Sequence, residues 1–151
     1  MNKITSIILT SIYLIVPVLA QQSGQDYQTH QPGVLFAPLH IYIDSGNNSL
    51  AAYQFELKAV DGQIKIVGVE GGQHEAFKEA PYYDPAALAK DRIIIAAFST
   101  GSNLPKSRTR VATIHLQIIG RTEPQYELKL IVAADADAKE IPAEITLEKG
   151  E

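Results

Sequence analysis

Beyond about position 38, apolar residues recur at every second position, and this pattern governs what the chain can fold into. Leu39, Ile41 and Ile43 alternate with His40, Tyr42 and Asp44, and Tyr53, Phe55 and Leu57 alternate with Gln54, Glu56 and Lys58. Ala112, Ile114, Leu116 and Ile118 repeat the pattern against Val111, Thr113, His115 and Gln117. Tyr126, Leu128, Leu130 and Val132 do so against Glu127, Lys129 and Ile131, and Ile145 and Leu147 against Glu144, Thr146 and Glu148. A strand sends successive side chains to opposite faces, so each run is a strand with one side toward a core and the other toward water. Helical periodicity is confined to residues 85 to 92, PAALAKDR, enough for a turn opened by proline.

The punctuation between these runs is that of turns. SGNNS follows the first run, and Asp61-Gly62 precedes Ile64, Ile66 and Val69. The spacing predicts a hairpin over residues 52 to 69. Residues 93 to 98, IIIAAF, form a continuous apolar run rich in β-branched side chains, which predicts a strand buried on both sides. About seven strands with almost no helix predict an all-β fold of two packed antiparallel sheets.

The N-terminus reads differently. Residues 1 to 20, MNKITSIILTSIYLIVPVLA, carry Lys3, then an apolar run broken at Pro17, then Val18 and Ala20 at the positions a signal peptidase reads. This predicts a signal peptide cleaved between Ala20 and Gln21 and an extracytoplasmic protein, periplasmic or secreted. An uncleaved membrane helix is the competing reading. No later segment is apolar enough to span a bilayer. Residues 21 to 37 read as a leader, most polar in QQSGQDYQTHQPG, and residues 38 to 151 as one domain. The chain has no cysteine, so packing must hold an exported domain together without disulfides. With 13 Lys and Arg against 17 Asp and Glu, and the basic residues scattered, nucleic acid is excluded as a partner class.

Chemistry-bearing residues concentrate in residues 71 to 88, GGQHEAFKEAPYYDPAAL. His74, Glu75, Glu79 and Asp84 are of types that ligate zinc or manganese, but the adjacent His-Glu pair lacks the one-turn spacing that aims two ligands at one ion. No serine sits in a nucleophile elbow. Asp135, Asp137 and Glu140 permit a loose calcium site, whereas an EF-hand fails because Glu140 stands where glycine is required and Thr146 where glutamate must close the loop. Asn47-Asn48-Ser49 matches an N-glycosylation tripeptide and equally a turn. No cofactor and no catalysis are expected. Phe77, Tyr82 and Tyr83, with His74 and Asp84 beside them, are the candidate ligand-binding residues, because aromatic rings offer flat apolar area. Pro81 and Pro85 stiffen the tyrosine pair. The alternative is that these aromatics fold back over an open end of the sandwich.

The order of segments LAAYQFELKAVDGQIKIVGVEGG, RIIIAAFSTG and TRVATIHLQIIG resembles the cohesin-like domains, a group of β-sandwiches related to carbohydrate-binding modules. The likeness runs from about Leu39 to Leu147 and rests on core patterning. It implies a jelly-roll-like antiparallel sandwich of about nine strands that binds without catalysis, with a protein partner engaged through one sheet face. A polysaccharide held by the loop aromatics is the alternative ligand. Two departures stand out: Ala59-Val60-Asp61-Gly62 replaces the family's usual Tyr-Asp-Pro turn, and the opening strand is shortened or merged with the leader.

Overall fold

The computed structural model describes residues 33 to 150, so the expected signal peptide, residues 1 to 20, and most of the expected leader lie outside the described residues. The described residues form eight strands: β1 (Val34–Asp44), β2 (Ala52–Asp61), β3 (Gln63–Gly71), β4 (Tyr82–Tyr83), β5 (Arg92–Phe98), β6 (Arg108–Ile119), β7 (Gln125–Ala134) and β8 (Glu144–Lys149). Among the described residues helix is limited to two 3-10 turns, Glu75–Phe77 and Pro85–Ala87, with Ala89 at φ 65° just after the second.

The strands divide into two four-stranded sheets, ordered β3-β6-β1-β8 and β4-β5-β2-β7, in which every pairing is antiparallel. Only the connection from β4 to β5 stays within a sheet; all others cross. This is the all-β antiparallel sandwich that the alternation predicts. Its core is the inward set from both sheets, including Leu39, Ile41, Ile43, Ile66, Ile114 and Leu116 against Tyr53, Phe55, Leu57, Ile93 and Ile95. Burial of such side chains stabilises by roughly 1.5–3 kcal/mol each, and with no cysteine in the chain this is the main cohesive term.

Three local readings are corrected. Residues 52 to 69 are not a hairpin: β2 pairs with β5 and β7, while β3 pairs with β6 in the opposite sheet. Alternation fixes which face is buried but not which strand accepts the hydrogen bonds, and a positive-φ turn serves an arch between sheets as well as a hairpin. Gly62 supplies that turn at φ 78°, its N–H donating to Asp61 Oδ1 at 2.7 Å.

β5 is buried on one side only. Ile93 and Ile95 point inward, but Ile94 is 39% exposed and Phe98 63% exposed. A continuous apolar run is compatible with either geometry, and here the outer face carries no covering layer among the described residues.

β1 starts at Val34, so residues 34 to 37, read as leader, are strand paired with Ile119 through Leu116 of β6. Val34, Leu35 and Phe36 are consecutive apolar residues, and an unalternating run gave no period to read. A register shift at Ile41/Tyr42 also leaves Val111 and Ala112 both buried, where strict alternation puts one outside. Tyr53 reaches across the sandwich there, its hydroxyl donating to the Val111 carbonyl at 2.9 Å.

Candidate functional site

The loop of residues 71 to 88 runs close against the start of β6. Gly72 leaves no room for a side chain, since a Cβ would stand 2.0 Å from the Arg110 carbonyl oxygen. The loop then splits the five sequence-predicted site residues into separate roles. Phe77 is 3% exposed and packs its edge on Tyr53, with ring centroids 5.1 Å apart. It is a core residue, as the fold-back alternative has it. Tyr83 is half-buried against the core.

His74 and Asp84 are local caps. The His74 Nδ1 accepts from the Ala76 N–H at 3.2 Å and opens the first 3-10 turn. Asp84 Oδ1 accepts from the Ala86 N–H at 2.9 Å and opens the second. Each side chain satisfies a backbone donor that the short turn leaves without a partner. No group of three or more potential metal ligands occurs among the described residues. Asp135 is likewise occupied, its Oδ1 accepting from the Asp137 and Lys139 N–H groups at 3.0 Å each.

The remaining histidines among the described residues lie on the outer face of the other sheet. His40 Nδ1 is 3.0 Å from Thr113 Oγ1, and His115 Nε2 is 3.2 Å from Glu70 Oε1, close enough for an ion pair when protonated but not aligned as a hydrogen bond.

Tyr82 is the one exposed aromatic of the five, at 68%, and its partner was missed in the sequence. The Tyr82 and Phe98 rings lie parallel, 9° between planes and 6.0 Å between centroids. The register explains the meeting. Tyr82 pairs with Ala96, placing its side chain on the outer face beside that of Phe98, two residues along β5.

The outer face of the β4-β5-β2-β7 sheet can be read row by row. Phe98 lies beside Ala52 and Ala134; Tyr82 beside Ala96, Gln54 and Val132; Ile94 beside Glu56 and Lys129; Arg92 beside Lys58 and Glu127. One half is therefore aromatic and aliphatic, with Gln54 its single polar side chain, and the other half is charged. Arg92 pairs with Glu56, and its hydrogen bond holds the Glu56 carboxyl below its usual range, with Lys129 and Lys58 adding smaller contributions in the same direction. Small residues at Ala52, Ala96 and Ala134 leave the two rings standing above their surroundings. A sheet face that is wholly solvated normally carries polar side chains, so this apolar half with its charged border is the candidate interaction surface.

The signal for this surface was present in the sequence as the even-numbered side of IIIAAF, but only the register unites Phe98 with Tyr82. No family model, no curated protein and no solved structure matches this chain.

Proposed function

We propose that the chain is an exported, non-catalytic, cohesin-like binding module that recognises a protein partner through the outer face of the β4-β5-β2-β7 sheet. The observation that carries this reading is the Tyr82–Phe98 pair, 68% and 63% exposed, set among Ala52, Ala96, Ala134 and Ile94 on a sheet face. Aromatic anchors inside an apolar patch, bordered by charge, are the composition of protein interfaces. Export rests on residues 1 to 20.

A polysaccharide is the second reading, and Tyr82, an exposed ring, favours it. Sugar recognition also needs polar groups converging beside the ring, and the pair's neighbours supply only Gln54. The protein reading is therefore preferred.

The test is to offer the full chain, in parallel, an envelope and secreted extract of the source cells and a panel of soluble and insoluble glycans, each with and without calcium. Stoichiometric recovery of one protein, lost on Tyr82→Ala with Phe98→Ala, is the expected result. Retention on a glycan, sensitive to the same pair, would transfer the function to sugar binding.

A further inference from the structure

Leu35 has the strand parity of Leu39 and Ile41 and so belongs to the core-facing side of β1, yet it is 61% exposed. Among the described residues the sandwich is open where it lies. β8 covers the edge of β1 from Asp44 to Leu39, and just past it the Gly150 N–H donates to the Pro38 carbonyl at 2.9 Å. From Val34 to Ala37, β1 is paired with β6 on one edge and has no strand on its other edge among the described residues.

Beneath that edge lies a cavity of about 370 Å³, at the lower end of the range for ligand sites, with an apolar lining that includes Leu35, Ala37, Leu116, Ile118 and Tyr126. Val34 and Phe36, on the opposite side of the same strand, are 52% and 65% exposed. No charge and no bulge blunts these four residues, the usual protection of an edge.

We propose that this edge and cavity form a second docking site, taking an extended segment of a partner protein by strand addition. The segment lies antiparallel to β1, in line with β8, and its alternate apolar side chains fill the cavity while its backbone pairs with Val34–Ala37. The charges at the mouth specify it further. Lys149 is paired with Glu123, whereas Arg121 has no carboxylate within ion-pair distance among the described residues. The occupant therefore carries an acidic residue, or its terminal carboxylate, opposite Arg121. This site is separate from the Tyr82–Phe98 surface and stands or falls without it.

The experiment pans a phage-displayed library of random decapeptides on the full chain and measures the affinity of the enriched peptides for that chain and three variants. The expected peptides alternate apolar residues and include an acidic one. They bind at least tenfold more weakly to Leu35→Glu, more weakly and with less salt dependence to Arg121→Ala, and unchanged to Tyr82→Ala with Phe98→Ala. Position 35 is exposed enough for glutamate to leave the fold intact, which circular dichroism checks. Slowed hydrogen exchange at residues 34 to 37 on adding peptide reports the added strand independently of any variant. Failure to enrich peptides, binding that survives Leu35→Glu, or unchanged exchange at residues 34 to 37 overturns the proposal. A chain that is dimeric by light scattering and becomes monomeric with Leu35→Glu also overturns it, assigning the edge to a second copy.

Discussion

Tyr82, on a two-residue edge strand, and Phe98, at the end of β5, lie with parallel rings 6.0 Å apart on the outer face of one sheet. Their exposure separates a role in binding from one in stability. Truncating either ring to alanine is expected to lower unfolding free energy by about 0.5–1.5 kcal/mol, the worth of an aromatic pair, since neither side chain is in the core. Partner affinity is expected to fall at least tenfold. Urea denaturation and calorimetric titration measure the two effects on the same samples.

Phe77 behaves oppositely. It is buried against Tyr53, so Phe77→Ala is expected to destabilise by about 3–5 kcal/mol through the cavity it leaves. Any loss of binding should track the unfolded fraction and vanish at temperatures where the variant is fully folded.

His74 and Asp84 are expected to act as caps alone. Asp84→Ala should cost roughly 0.5–1 kcal/mol, within the range for N-cap loss, and leave partner affinity within about twofold. His74→Ala should likewise leave binding intact, and a chelator should not change the melting temperature of either variant relative to wild type. A chelator-sensitive wild type with an insensitive His74→Ala would restore the metal reading.

Tyr53 gives the alkaline limit of the fold. Burial raises its phenol pKa well above the ordinary value of 10.0, and burial raises that of Tyr126 in the same direction. A group whose folded pKa is raised favours the protonated form in the native state, so its contribution is complete below about pH 10 and is lost as pH rises beyond it. Stability should therefore fall above about pH 10, less steeply in Tyr53→Phe. At neutral pH the same variant should be less stable by roughly 1–2 kcal/mol, because the Val111 carbonyl loses its donor. Urea midpoints across pH 7 to 11 test both signs.

Gly62 tests the arch between sheets. At φ 78°, and with a Cβ placed 3.0 Å from Pro124 Cα, Gly62→Ala should cost about 1–2 kcal/mol or more. Because Gly62 follows the Asp61 end of β2, whereas Tyr82 stands in the row of Ala96 and Gln54, the folded variant should bind its partner normally.

Alternation made the core legible from sequence: Leu39, Ile41 and Ile43, and Tyr53, Phe55 and Leu57, are buried as their period requires. What it could not supply is partnership. Ile64 and Ile66 face inward whether β3 folds back on β2 or crosses to β6, so the hairpin and the arch share one pattern. IIIAAF has no polar residue to mark its outer side, which hid Ile94 and Phe98. Prolines and polar residues mark Tyr82 out in the sequence, whereas its pairing with Phe98 depends on the Tyr82–Ala96 register, a long-range property. His74 and Asp84 carried the same side chains whether they capped turns or met a ligand, and only the positions of the Ala76 and Ala86 N–H groups distinguish these roles.

The measurement that bears most directly on the account is quantitative capture from the source-cell extract by the wild-type chain and by the Tyr82→Ala, Phe98→Ala double variant, with both shown to be folded. One protein recovered at near-equimolar amounts with wild type, and reduced at least tenfold with the double variant, is the expected result. Equal recovery of that protein by the two forms would contradict it and place recognition elsewhere on the sandwich.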